Sequence, residues 1–138
     1  MKTIQSCRAV ILFFLVPALF LLFYISPARA AWTIESSVPT TEQFRAVWGY
    51  SDNRVVAAGN YGTLLLYDGT RWQDVSGITE KNIFGVWWAS ENEAFAVCDK
   101  GALLHFDGTT WTAMNSGTTQ RLREIWGTSG TDVFAVGE

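Results

Sequence analysis

Residues 86–111, VWWASENEAFAVCDKGALLHFDGTTW, contain the pattern from which the architecture of this chain follows. Elements of this stretch recur before and after it at a spacing of 39 residues, and one set of tryptophans shows the interval: Trp48, Trp87 and Trp126. The triplet Asp68-Gly69-Thr70 recurs at the same interval as Asp107-Gly108-Thr109. Self-similarity at a fixed period of this size indicates a repeat architecture.

Each repeat divides into four short strand-like runs separated by turn residues. In the second repeat the predicted strands are 83–88, 93–98, 102–106 and 110–114. The run Ala94-Phe95-Ala96-Val97 is apolar on both faces, whereas a sheet with one solvated face would alternate apolar and polar residues. The blades of a propeller are sheets buried on both faces. The prediction is an all-β fold, a partial β-propeller of four-stranded antiparallel blades, with units of about 32–72, 72–111 and 111–138, the last incomplete.

Residues 101–119, GALLHFDGTTWTAMNSGTT, followed by 125–137, IWGTSGTDVFAVG, resemble the repeats of secreted bacterial β-propeller proteins. The related families are the Asp-box, or bacterial neuraminidase, repeats and the photosystem II stability/assembly-factor-like repeats. The segment 107–111 is one residue shorter than the Asp-box pattern S/T-x-D-x-G-x-T-W and lacks its leading Ser or Thr. The resemblance implies a propeller fold and does not specify a ligand.

The N-terminus has the features of a secretory signal peptide, predicted to span 1–30. Lys2 and Arg8 precede the apolar run 9–25, and Ala28-Arg29-Ala30 supplies small residues for cleavage. An uncleaved membrane anchor is the alternative, but the run is near the lower length limit for a span and contains Pro17. The mature chain, 31–138, is predicted to be exported, to the periplasm or outside the cell, without a stable membrane anchor.

The mature chain has 7 basic and 13 acidic residues and a net charge of −6. It lacks the basic patch of a nucleic-acid-binding protein, so nucleic acid is excluded as a partner. Fewer than three repeats are present, whereas closed propellers have about four to eight blades. The expectation is an N-terminal fragment of a longer propeller, or a chain that associates with its own copies through uncovered blades.

Several residues with chemically reactive or metal-binding side chains are predicted to have structural roles. Asp68 and Asp107 are predicted to accept backbone N–H groups in their Asp-Gly turns. His105 has no neighbouring ligands in the sequence, and Cys98 replaces Gly59 and Gly137 of the other repeats. No metal, cofactor-binding or catalytic set is therefore predicted.

Trp88 is the one candidate ligand-binding residue, because it stands where the other repeats have Gly49 and Gly127. The tryptophans at repeat positions are predicted to pack in the core. Arg45 and Arg123 share one repeat position and could face the channel or pair with carboxylates, and the five mature arginines give no evident cluster.

The sequence thus predicts a non-catalytic binding or scaffold propeller with a protein or glycan partner and no cofactor. The alternative is a fragment of a sialidase-like glycoside hydrolase whose catalytic residues lie outside this chain.

Overall fold

The computed structural model describes residues 4–8, 31–35 and 37–138, and its contacts divide the chain into two units. The first unit lies within Thr3–Val38 and contains an antiparallel pair, β1 (Ile4–Arg8) and β2 (Ala31–Glu35), in which Cys7 is opposite Trp32. The rest of the predicted signal peptide lies outside the described residues, and its cleavage stays a prediction. Within the described residues, no helix is long and apolar enough to span a membrane.

The second unit, Pro39–Glu138, begins with two four-stranded antiparallel sheets whose strands follow chain order. The first sheet contains β3 (Phe44–Ser51), β4 (Arg54–Gly59), β5 (Leu64–Tyr67) and β6 (Trp72–Asp74). The second contains β7 (Ile83–Ser90), β8 (Glu93–Cys98), β9 (Ala102–Phe106) and β10 (Trp111–Asn115). A third sheet has two strands, β11 (Leu122–Ser129) and β12 (Asp132–Gly137).

These strands confirm the all-β prediction, and those of the second sheet differ from the predicted ranges only at their ends. The strands of the three sheets lie within residues 44–74, 83–115 and 122–137. The predicted units have other boundaries, because they were divided at the tryptophans of the repeat, at about residues 32, 72 and 111.

The turns repeat as closely as the strands do. A short 3-10 turn joins the second and third strands of each complete sheet, and Tyr61 and Lys100 occupy its left-handed position with φ of 52° and 54°. Asp-Gly-Thr turns join the third and fourth strands, with φ of 95° at Gly69 and 94° at Gly108. Glycine adopts this region without a steric cost, which explains its recurrence there.

The second sheet is buried on both faces, as predicted for a blade. Side chains alternate between the two faces along each strand. One face joins the core shared with the first sheet through Val86, Trp88, Ala96, Leu104 and Phe106. The opposite face joins the core shared with the third sheet through Trp87, Phe95 and Val97, which pack with Leu122 and Ile125. Sheets stacked in this way are the blades of a β-propeller.

Candidate functional site

The first strands of the three sheets lie side by side, because β7 contacts both β3 and β11. Between them is a cleft of about 350 Å³, called here the first-strand cleft. Its lining residues are Arg45, Ala46, Val47, Trp48, Phe84, Gly85, Val86, Glu124, Ile125 and Trp126. The apolar part of this lining includes Phe84, Val86 and Ile125, and Val47 and Trp126 are more than half exposed, at 63% and 56%.

Two arginines from different sheets converge on one aromatic ring at the edge of this cleft. The guanidinium of Arg45 lies 5.0 Å from the centroid of Phe84, and that of Arg121 lies 5.2 Å from it. Both distances are within the range of a cation–π interaction. The sequence had suggested no arginine cluster, and that interpretation was wrong, because the stacking of sheets brings together repeat positions that are distant in the chain.

The arginines near this cleft differ in whether a carboxylate pairs with their charge. Arg121 Nε donates to Asp99 Oδ1 at 2.5 Å, and its Nη1 is 3.4 Å from Glu138 Oε1. The hydrogen bond from Arg121 to Asp99 raises the pKa of the guanidinium above its ordinary value, as does the charge of Asp99. Arg123 pairs with Glu138 as well.

Arg45 differs from these two arginines because its side-chain bond is to a neutral acceptor, Asn60 Oδ1, at 2.5 Å. Within the described part of the chain, no carboxylate lies within ion-pair distance of Arg45. Its exposed guanidinium is therefore available to an anionic group of a ligand.

Trp88, the candidate ligand-binding residue of the sequence, is placed in the core. Its side chain is 3% exposed and packs edge-on against Phe106, with ring centroids 5.5 Å apart. Because the second sheet is covered on both faces, Trp88 is buried on its first strand, although the other two sheets have glycine at this repeat position. The structure thus gives the Trp88 indole no surface to present to a ligand.

The tryptophans at repeat positions are not all buried, so the sequence interpretation was wrong in part. Trp87 and Trp111 are 5% and 8% exposed, in agreement with a packing role, but Trp126 is largely exposed. No described sheet covers the face of the third sheet on which Trp126 lies. Trp126 and Trp87 stand at the same repeat position, and they differ in whether a described neighbouring sheet covers them.

The carboxylates of the Asp-Gly-Thr turns have the predicted structural role. Asp107 Oδ1 accepts the backbone N–H groups of Thr109 and Thr110 at 2.9 and 2.8 Å. Asp68 accepts the equivalent bonds in the first sheet. The hydrogen bonds from Thr110 and then Thr109 lower the pKa of Asp107, and those from Thr70 and then Arg71 lower the pKa of Asp68. These acceptor sites are therefore occupied by the turns themselves.

The remaining titratable candidates are also in structural environments. Cys98 is completely buried, and burial raises the pKa of its thiol to about 12. His105 Nε2 lies 3.3 Å from Glu93 Oε1, and its ring packs on Phe95 with centroids 4.8 Å apart. Among the described residues there is no group of three or more His, Cys, Asp or Glu side chains that could hold a metal ion.

Comparison with known proteins gives a structural match. No protein-family model matches the sequence, and no curated protein matches it. Among solved structures that resemble the chain is YCF48 bound to D1 peptide, with a TM-score of 0.67, 21% sequence identity and coverage of 81% of this chain. This chain spans 39% of the length of that one. The likeness is one of fold, and the second unit has the β-propeller fold that the stacked sheets indicate.

Proposed function

We propose that this chain is a non-catalytic, exported β-propeller module that binds a peptide segment of a partner protein in the first-strand cleft. The observation that carries the proposal is the exposed guanidinium of Arg45, held over Phe84 without a carboxylate partner among the described residues. Beside it, Phe84, Val86 and Ile125 contribute apolar groups to the lining of the same cleft.

The chemistry of the cleft favours a peptide with both a carboxylate and an apolar side chain. A guanidinium can bind a carboxylate through two parallel hydrogen bonds, and Asn60 fixes the orientation of Arg45 by accepting from its Nε. The mature chain is acidic, with a net charge of −6, so Arg45 is a local positive site on a negative protein. A charged group at such a site contributes more to the choice of partner and to the orientation of the bound peptide than to the affinity of binding.

The similar solved structure supports the class of ligand. YCF48 is bound to a D1 peptide in that structure. A protein partner is therefore favoured over a glycan for this chain, and the relation to Asp-box repeats remains a proposal that rests on the Asp107-Gly108-Thr109 turn. Export is supported by the signal-like order of charge, apolar run and small residues at the N-terminus.

The sialidase-like alternative places its catalytic residues outside this chain, and the arginines of this chain add no support to it. Arg121 and Arg123 are both paired with Glu138, and Arg121 is also bonded to Asp99. Of the two arginines over Phe84, Arg45 is the one without a carboxylate partner among the described residues, so it is proposed to recognise the anion.

A peptide selection followed by titration tests the proposal. Purified protein is panned against a library of random 12-residue peptides, and the dissociation constants of selected sequences are measured for wild type and variants. Arg45→Ala and Phe84→Ala are expected to weaken binding by about tenfold or more, since loss of a contact of about 1.4 kcal/mol has that effect.

Tyr61→Asn provides the matched control, because it removes an aromatic ring that is 71% exposed and does not line the cleft. Asparagine tolerates the left-handed backbone of that position. Selection of acidic, partly apolar peptides with unchanged affinity in Tyr61→Asn is the expected result. Peptides that bind Arg45→Ala as well as wild type would refute the proposed site.

A further inference from the structure

The outward face of the third sheet exposes three large apolar side chains, which are Trp126, Phe134 and Val136 at 56%, 60% and 61%. They are called here the trailing face. Trp126 and Phe134 are opposite each other on β11 and β12, so the patch is continuous. In the second sheet the equivalent positions are Trp87, Phe95 and Val97, which pack against the third sheet. The trailing face therefore has the side chains of an interface between blades.

The receiving surface of that observed interface is formed by Leu122, Ile125, Gly127 and Val133 of the third sheet. Gly127 leaves room for the indole, because a Cβ atom there would lie 2.9 Å from Cη2 of Trp87 and closer still to the carbonyl oxygen of Asp132. The indole of Trp87 thus fills the space above a glycine.

The first sheet repeats this receiving surface on its outward face. The equivalent positions are Phe44, Val47, Gly49 and Val55, which match the four residues of the third sheet in size and polarity. They are called here the leading face. Gly49 is exposed, and a Cβ atom built on it would meet only Val55 Cγ2 at 3.6 Å and Ser51 O at 3.9 Å. Among the described residues, none fills the space above Gly49 that corresponds to the one Trp87 fills above Gly127.

We infer that the trailing face of one molecule binds the leading face of a second copy of this chain, with Trp126 placed over Gly49 of that copy. The contact continues the stacking observed between the second and third sheets. The observed contact between the second and third sheets has a polar pair at its edge, Arg121 with Asp99. In the inferred contact the equivalent pair is Gln43 of the copy that presents its leading face and Glu138 of the copy that presents its trailing face.

This interface is heterologous, since two different faces meet, and such contacts give open chains or closed rings. Val47 and Trp126 belong both to this contact and to the lining of the first-strand cleft. The inference is drawn from the stacking of the sheets and does not rest on the proposed function. Phe134 and Gly49 do not line that cleft, so each variant changes the contact at a residue outside it.

Sedimentation velocity over a range of protein concentrations tests the inference through two single variants. Phe134→Glu places a charge on the trailing face, and Gly49→Trp fills the leading face. The backbone at Gly49 is outside the left-handed region, and Trp88 shows that the same repeat position accepts an indole. Wild type is expected to associate as concentration rises, whereas each variant alone stays monomeric, with a dissociation constant raised at least about tenfold.

The mixture of the two variants provides the decisive result. Phe134→Glu retains its leading face and Gly49→Trp its trailing face, so the mixture is expected to form a 1:1 dimer that grows no further. The control Tyr61→Asn should associate as wild type does. Circular dichroism of each variant establishes that it is folded.

Two outcomes would overturn the inference. A wild-type protein that stays monomeric at every concentration would show that no second copy covers the trailing face, as would be the case if a further repeat covered it instead. Association of Gly49→Trp alone would show that the trailing face binds itself or that the contact is unspecific.

Discussion

Arg121, which directly precedes β11 of the third sheet, donates a hydrogen bond from Nε to Oδ1 of Asp99 in the turn between β8 and β9 of the second sheet, at 2.5 Å. The same guanidinium lies over the ring of Phe84, which belongs to the second sheet as well. The backbone N–H of Asp99 is bonded to the carbonyl of Asn82, so the turn that presents the carboxylate is fixed. One side chain of the third sheet therefore holds it to its neighbour outside the apolar core.

Arg121→Gln should loosen the third sheet while the second sheet remains intact. The pair is partly exposed, so its contribution to stability is small and is screened by salt. We expect faster amide exchange in β11 and β12 than in β8 and β9, with a difference from wild type that shrinks at high salt. Hydrogen exchange followed by mass spectrometry measures this, and uniform acceleration in every strand would contradict the assignment.

Trp88→Ala is expected to destabilise the protein as severely as Trp111→Ala, by about 3–5 kcal/mol, because both indoles are buried in the core shared by the first two sheets. Trp126→Ala should cost about 0.5 kcal/mol or less, since its side chain is exposed. Denaturant unfolding at low protein concentration gives the three values. Equal losses for Trp88→Ala and Trp126→Ala would show that Trp88 is not a core residue.

Trp88→Phe offers a finer test of the same site. The indole N–H of Trp88 is buried without a hydrogen-bond partner in the described structure. A phenyl ring removes that unsatisfied donor, so the variant should recover a large part of the stability that alanine loses. A loss as large as that of Trp88→Ala would indicate that the indole N–H has a partner, such as a buried water molecule.

The repeat explains why the strands could be predicted and the site could not. Residues 93–98 and 102–106 were predicted as the strands that the structure has, because the first of these patterns occurs three times in the sequence and the second occurs twice. The meeting of Arg45 with Phe84 depends on how one sheet is rotated against the next, which no residue pattern encodes. The exposure of Trp126 depends likewise on which sheets are present, and Trp126 and Trp87 look alike in sequence.

The Asp-Gly-Thr turns should make stability fall at acidic pH. Hydrogen bonds hold the pKa of Asp68 and of Asp107 below the ordinary value of about 4. The unfolded chain therefore binds these protons more readily, so the stabilisation is complete above that value and is lost as pH falls through the folded-state pKa.

The direction of this pH dependence is checked by measuring the free energy of unfolding of wild type and of the double variant Asp68→Asn, Asp107→Asn between about pH 2 and pH 6. The variant should be less stable near pH 6 and should lose less stability than wild type as the pH is lowered. Parallel curves would mean that these turns do not contribute to the acid sensitivity.

Cys98 is expected to be inert in the folded protein. Its thiol is fully buried with a pKa raised to about 12, and the thiolate is the reactive form. Alkylation by iodoacetamide at about pH 8 should be at least about a hundredfold slower in the native protein than in denaturant. Peptide mass spectrometry identifies the labelled residue, and rapid native labelling of Cys98 would place it at the surface.

Fluorine NMR of protein labelled with 5-fluorotryptophan tests most directly whether the first-strand cleft is the peptide-binding site. Trp48 and Trp126 line the cleft, whereas Trp88 and Trp111 lie in the core. Titration with a selected acidic peptide, at a concentration where the protein is monomeric, should shift the Trp126 and Trp48 resonances and leave those of Trp88 and Trp111 in place. Tight binding with no change at Trp126 and Trp48 would contradict the account.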